Sequence, residues 1–200
     1  MSDSPTALIT VAEYKTITGM ETSAAKVDEK QIEFFCNAAT TRMETECRRK
    51  FIEPAAAITE LFTGNDSQRY YVRQRRVSGN ATPTLAYLSN GEWFPVAAPS
   101  YSFAIESEAG YIYFTDGNIF FRGGAPNNWR VTYKYGWTQA LAPADLKLLC
   151  AILVQRAMLF QGRGKEGLAA EAQVDVNLSF NPALSDDDKR ILRKYTWVSL

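Results

Sequence analysis

The residues that could do chemistry are few, and their spacing argues against most chemistries. Asp186, Asp187 and Asp188 form the densest acidic run and could in principle hold a cation. They follow Ser185, however, and Ser185 with Asp188 is a capping pattern, so these acids read as partners of a helix dipole. Glu106 and Glu108 share one strand face at a two-residue period, with no second acid identifiable beside them, and read as a solvated face. Gly162, Gly164 and Gly167 are spaced like a phosphate loop, but they follow a helical pattern instead of leading into one. The chain contains no His, which removes the commonest general base and the commonest metal ligand. No nucleophile elbow, paired-Cys metal site or dinucleotide fingerprint occurs. The expectation is a protein that is not an enzyme and carries no cofactor and no metal.

One charged cluster remains. Arg69, Arg73, Arg75 and Arg76 interleave with Tyr70, Tyr71 and Val72, a mixture that can follow a phosphate backbone and stack on bases. On a strand, Arg69, Arg73 and Arg75 would share one face and Arg76 the other. The formal net charge is +0, which argues against a protein that coats nucleic acid unaided. The plain reading is an exposed strand paired with acidic neighbours or a partner subunit; if several copies form a ring, Arg69, Arg73 and Arg75 are expected at a subunit interface or along a channel wall. A second set, Trp93, Phe94, Tyr101, Tyr111 and Tyr113, would serve a β-domain binding module for carbohydrate or a host component; the same aromatics also suit a sheet core.

The elements that must position these groups centre on residues 135–160, YGWTQALAPADLKLLCAILVQRAMLF. A strand end passes through a turn into a long apolar helix, with Pro143 in its first turn and Asp145 where the dipole is positive. Leu146, Leu149, Cys150, Leu153, Ala157 and Phe160 repeat at helical spacing, and Ile152, Val154 and Leu159 widen that face. Such width predicts a helix that packs on more than one side. Upstream, Thr10 with Glu13 caps a short helix over 11–17, and Asp28 with Gln31 opens a longer one to about Arg49. Its stripe is Ile32, Phe35, Cys36, Ala39, Met43 and Cys47; Glu29, Glu33, Asn37 and Glu44 are expected to face out. Arg48, Arg49 and Lys50 are expected in its last turn as a solvated helix end.

Between Pro54 and Trp137 the pattern turns to short strands. Asn90–Gly91 and Asp116–Gly117 each predict a hairpin, between 85–89 and 93–96 and between 111–115 and 118–122. Strands are also expected at 60–62, 70–78 and 129–135. The fold class is thus α+β: a small helical bundle of about four helices with a large inserted antiparallel β module and an extended C-terminal arm. The divisions are 1–54 for the N-terminal helices, 55–137 for the β module and 138–162 for the central helix. A flexible loop and arm follow at 163–184, then a C-terminal helix at 185–200. In the arm, Val174, Val176, Leu178 and Phe180 alternate with polar residues downstream of Leu168, as in a strand that completes itself on the inserted sheet, a neighbour or a partner. The 3 Cys lie on core faces, and Cys36 and Cys47 are about 16 Å apart along one helix, too far for a bond. No apolar run has transmembrane length, so a soluble protein made in a reducing cytoplasm, without membrane association, is expected.

The order of elements adds a family. LITVAEYKTITG, then DEKQIEFFCNAATTRMETECRRKF, strands ending in NWRVTYKYGW, the helix APADLKLLCAILVQRAMLF and the closing DDDKRILRKYTW together resemble the head–tail connector (adaptor, or head-completion) proteins of tailed bacteriophages. Tyr135–Gly136–Trp137 ahead of Pro143–Ala144–Asp145–Leu146–Lys147, and Cys47–Arg48–Arg49–Lys50–Phe51, carry most of the likeness. The resemblance implies a virion protein of the neck, made in the host bacterial cytoplasm, that assembles as a homo-oligomeric ring, commonly of twelve subunits. It would bind the portal protein and the tail or a stopper or terminator protein, and double-stranded DNA would pass through it transiently and non-specifically. The arm residues Leu168, Val174, Val176, Leu178 and Phe180 would bind the portal or a neighbouring subunit. The β insertion is larger, and the segment after the central helix longer, than in short members of the family.

Overall fold

Two units share the chain: Met1–Arg48 with Gln139–Leu200, which is helical, and Arg49–Thr138, which is β. The computed structural model describes residues 7–20, 28–98, 100–103, 110–123, 125–166 and 184–196. The fold is α+β, a bundle of helices with an inserted antiparallel β module.

In the helical unit, α1 (Val11–Thr18) begins at a complete capping box: the Glu13 N–H donates to Thr10 Oγ1 at 3.0 Å and the Thr10 N–H to Glu13 Oε2 at 2.9 Å. Asp28 caps α2 (Glu29–Cys47) by accepting the Lys30 N–H at 3.0 Å. The expected stripe of α2, from Ile32 to Cys47, is buried throughout. Its buried arc is wider than the stripe, taking in Thr40 and also Glu44, which was expected to face out and is 8% exposed. The helix also stops earlier than expected. Arg48 adopts a left-handed cap at φ 53°, with its N–H turned back to the Glu44 and Thr45 carbonyls, so the basic residues leave the last turn.

The Lys147 N–H donates to the Pro143 carbonyl at 3.0 Å to open α3 (Ala144–Glu166), which runs antiparallel to α2. Thr40 Oγ1 lies 3.7 Å from Cys150 Sγ, and the Cys150 thiol points to the Cys36 carbonyl at 3.9 Å. Leu146, Leu149, Cys150, Ala151, Leu153 and Val154 are buried. Each such leucine stabilises the bundle by about 2 kcal/mol through apolar burial. Among the described residues α3 packs as expected against more than one neighbour, namely α1, α2 and the helix Asp186–Arg193, while Leu148 and Leu159 stay 52% and 59% exposed. The backbone stays helical through Gly162 and Gly164 to Glu166, past the expected end at 162, because glycine weakens a helix by only about 1 kcal/mol without forbidding it.

The closing helix α4 (Asp186–Arg193) lies antiparallel to α3, with the Tyr195 hydroxyl donating to Asp145 Oδ1 at 2.7 Å and Arg156 paired with Asp188. Asp188 also accepts the Ser185 N–H at 2.8 Å, so the acidic run serves the helix cap as expected. Burial opposes ionisation of Asp188, but the Arg156 guanidinium and Ser185 outweigh it and hold the carboxyl below its ordinary value. A carboxyl depressed on folding contributes stability that is present above its unfolded value and is lost as pH falls through the folded one. Asp188→Asn is therefore expected to cost about 2 kcal/mol near pH 7, the scale of charge-assisted hydrogen bonds, and clearly less near pH 3, where that contribution is already being lost. Urea denaturation at both pH values checks this; an equal loss at both would assign the effect to packing.

Among the described residues the β unit holds seven strands: β1 (Ile58–Phe62), β2 (Arg69–Tyr71), β3 (Thr84–Ser89), β4 (Glu92–Pro95), β5 (Tyr101–Phe103), β6 (Tyr111–Phe114) and β7 (Trp129–Tyr133). They form an antiparallel sheet β1-β7-β3-β4 and a smaller one, β2-β6-β5. Alternate residues of both meet in one core built around Trp129, Phe62, Val131, Tyr133, Ile112 and Phe114. Trp129 touches the rings of Phe62, Phe114, Phe120 and Phe121, with centroids 5.0–6.4 Å apart. Asn90 and Gly91, at φ 49° and 83°, make the expected β3–β4 hairpin. The second expected hairpin does not form. After Asp116–Gly117, residues 118–122 leave the sheet: the Phe120 N–H donates to the Ser67 carbonyl and the Phe120 carbonyl accepts the Asp66 N–H, at 2.8 and 2.9 Å. This pairing with a loop sends the Phe120 ring into the core, and that burial outweighs the local turn preference. β2 is likewise shorter than the expected strand over 70–78, ending at Tyr71.

Candidate functional site

Three constellations in the β unit carry the unusual chemistry. The first lies where the chain enters and leaves that unit. The Trp137 N–H donates to the Phe51 carbonyl and the Glu53 N–H to the Trp137 carbonyl, both at 2.8 Å, closing a parallel bridge between the two crossings. Arg49, expected in a solvated helix end, is only 6% exposed; its guanidinium lies 5.1 Å from the Trp137 ring centre and 5.8 Å from that of Phe51. The Arg76 guanidinium also lies over Trp137, at 4.8 Å. A tryptophan face attracts such cations through its quadrupole, more strongly where water is excluded. Beside this junction Glu53 accepts from Ser78 at 2.6 Å and Asn80 at 2.7 Å, and pairs with Lys134 at 3.3 Å. Burial works against its charge, yet these donors hold its carboxyl below the ordinary value. Two short sequences 85 or more residues apart, around Arg49–Phe51 and Gly136–Trp137, are thus one structural feature.

The second is an inward-facing carboxylate. Glu60 shares the core side of β1 with Ile58 and Phe62, opposite Val131 of β7. It accepts from the Tyr70 hydroxyl at 3.0 Å, the Tyr133 hydroxyl at 2.9 Å and the Arg73 N–H at 3.0 Å. Tyr133 in turn accepts the Gln74 N–H at 3.0 Å. Burial first, and then the Glu60 charge, push both phenols well above their ordinary value, so they stay neutral donors. Sequence reading missed this role, although a charge at the middle of an apolar alternation, Ile58–Glu60–Phe62, was its signal.

The third is the outer face of the small sheet. Arg69 pairs across from Tyr113 and Tyr71 from Tyr111, so these four side chains stand on one side while Tyr70 and Ile112 face the core. The Arg69 guanidinium lies 5.5 Å from the Tyr111 ring centre, which stacks edge-on with Tyr71 at 5.7 Å and lies 5.8 Å from Tyr113. Arg69 and Tyr71 are exposed and Tyr111 and Tyr113 half-buried, and clustered arginine and tyrosine are the residues that carry most energy at protein interfaces.

These placements redistribute the expected sites. Only Arg69 is on a strand; Arg73 is exposed beyond β2 and Arg75 is half-buried, so Arg69, Arg73 and Arg75 do not make one strand face. The five aromatics of the alternative reading share no groove. Tyr101 packs on the core, Tyr111 and Tyr113 face outward from the small sheet, and Phe94 stacks on Tyr87. Trp93 lies under Arg130, 4.7 Å away, on the outer side of the large sheet. The arm residues Leu168, Val174, Val176, Leu178 and Phe180 lie outside the described residues, as do Glu106 and Glu108. Cys36, Cys47 and Cys150 are buried thiols, and burial pushes those of Cys36 and Cys150 up to about 12, which leaves them protonated and unreactive. Among the described residues no group of three acids, His or Cys is placed to hold a metal, and no helix is long and apolar enough to cross a membrane.

No protein-family model matches the sequence, and no curated protein matches it. Solved structures do. A chain from the neck of an empty GTA particle, computed with C6 symmetry, superposes with a TM-score of 0.62 at 13% identity, covering 100% of this chain and 95% of that one. A chain from the virion of the native gene transfer agent (GTA) particle gives 0.61 at 12%, with coverage of 100% and 95%. One from the neck of the native particle, computed with C12 symmetry, gives 0.55 at 12%, covering 95% and 92%. The chain has the fold of a chain found in those particles. With coverage this complete, the neck-chain fold includes both the helical and the β unit.

Proposed function

We propose that this chain is a structural, non-enzymatic protein of a virion neck: a head–tail connector that forms a homo-oligomeric ring beneath a portal protein, extends the DNA channel and docks the tail or a stopper. One observation carries the reading. The likeness to a GTA neck chain extends over 100% of this chain and 95% of the other, so it takes in both the helical and the β unit. Those necks were computed with C6 and C12 symmetry, which in this chain would correspond to a ring of six- or twelvefold order. In this reading the helical unit sets subunit shape, and the Arg69–Tyr71–Tyr111–Tyr113 face of the β unit is the surface on which another neck component sits. Residues 169–180 supply the segment that attaches to the portal or to a neighbouring subunit by strand addition.

Electron microscopy of the purified chain with and without its portal tests the proposal. The expected result is a ring coaxial with the portal; portal particles that remain bare at saturating chain would overturn it. Deleting residues 169–180 is expected to leave thermal unfolding unchanged and to abolish portal attachment. Attachment at wild-type level by the deletion variant would remove the arm from the mechanism.

A further inference from the structure

Two four-residue rows on the surface of the helical unit hold no charged side chain and share one spacing. On α3, Leu148, Ile152, Gln155 and Leu159 repeat at intervals of 4, 3 and 4; on α2, Phe34, Ala38, Thr41 and Thr45 repeat at the same intervals. Leu148, Leu159 and Phe34 are 52%, 59% and 53% exposed, and no Asp, Glu, Lys or Arg falls in either row. Surface rows of helices are normally polar, and a 4-3-4 apolar row is the seam by which one helix packs lengthwise on another.

The rows also lie on opposite sides of the helix pair. Thr40 and Cys36 face Cys150 across the α2–α3 contact. At 100° per residue the α2 row points about 150° away from that contact and the α3 row about 170° away. Their textures are complementary. The α3 row presents three bulky apolar side chains. The α2 row presents small ones apart from Phe34, and the Thr45 hydroxyl donates to the Thr41 carbonyl at 2.8 Å, which satisfies it within the helix. A bulky row on one side and a shallow row on the other cannot meet within one molecule, but they can meet between successive copies. Such a heterologous contact, repeated, generates a ring where its rotation closes. The absence of charge in both rows and a formal net charge of +0 remove like-charge repulsion between identical partners.

We propose that the α3 row of one copy packs on the α2 row of the next, and that this head-to-tail contact is what builds the ring. The proposal rests on the neck reading for its place in an assembly. A row about 16 Å long and one helix wide is small beside the roughly 800 Å² per partner of a standard interface, so the contact between two free copies is weak, and closing the ring strengthens it.

Complementation tests it. Leu148→Glu with Leu159→Glu breaks the α3 row; Phe34→Glu with Thr41→Glu breaks the α2 row; all four positions are exposed, and circular dichroism checks that each variant keeps its fold. In sedimentation velocity at about 10 µM to 1 mM, wild type is expected to form species larger than dimers and each variant to stay monomeric. An equal mixture of the two variants is expected to form a dimer and nothing larger, since one intact row of each kind remains. A monomeric wild type over the whole range, variants that assemble like wild type, or a mixture that stays monomeric overturns the proposal. Portal binding separates this from the neck reading. Complementation by a chain whose wild type leaves portals bare keeps the contact and removes the neck role. Portal decoration by both variants at wild-type level does the reverse.

Discussion

Gly136→Val is expected to destabilise the β unit by about 4 kcal/mol, among the largest losses open to any single substitution of this chain. Gly136 sits at φ +81°, in the left-handed region, and a Cβ built there would lie 2.4 Å from the Phe51 carbonyl oxygen. That oxygen cannot retreat, because it already accepts the Trp137 N–H at 2.8 Å. The cost therefore has two parts: backbone strain of about 1–2 kcal/mol for a branched residue at this φ, and loss of the bridge between the two crossings. Gly91 separates them. It has a similar φ of +83° but nothing within 4 Å of its Cβ position, so Gly91→Val carries the strain alone. Urea denaturation followed by tryptophan fluorescence is expected to show the Gly136 variant losing at least twice as much stability as the Gly91 variant. Equal losses would mean that the contact with Phe51 contributes nothing.

Glu60→Ala is the second large effect, with an expected loss of about 3 kcal/mol near neutral pH. The substitution leaves the Tyr70 and Tyr133 hydroxyls and the Arg73 N–H without their shared acceptor. Each orphaned donor costs roughly 1–3 kcal/mol where water cannot replace the partner, and only part of that is felt at a half-buried site. Glu60→Gln keeps an acceptor in place and is expected to lose about half as much. The network also fixes the sign of the alkaline limb. Phenols raised on folding contribute no loss below their unfolded value, near 10, and stability declines as pH rises beyond it. A Glu60→Ala chain as stable as Glu60→Gln would show that solvent fills the site.

How much of this was legible in the sequence differs by element. The helices were, because their signals are local: Thr10 with Glu13, Asp28, Pro143, and Ser185 with Asp188 each cap a helix where their spacing places them. The Asn90–Gly91 hairpin was legible for the same reason. The second hairpin was not, since Phe120 gains more from the aromatic cluster around Trp129 than residues 118–122 gain from pairing with β6. The length of β2 was hidden too. Val72 is buried and Arg73 is drawn toward Glu60, a residue 13 positions away whose inward direction only the sheet register reveals. At the candidate sites, Arg49 looked like a helix-end charge because its position beside Trp137 is set by a contact 88 residues distant. The breadth of apolar character on α3 was plain, but not its meaning: periodicity shows that a second face exists and does not show what covers it.

The bridge between Phe51 and Trp137 also bears on the order in which the chain folds. Thr40 and Cys150 meet although 110 positions separate them, and joining two points so far apart on a free chain costs conformational entropy that grows with the logarithm of the loop. Once the β unit has closed on itself, the path from Thr40 to Cys150 runs through the bridge and is only about 24 residues long, which lowers that entropy cost by about 1.4 kcal/mol. The inserted unit then works as an internal staple, and the helix pair is quickest to form in chains whose insert has already folded.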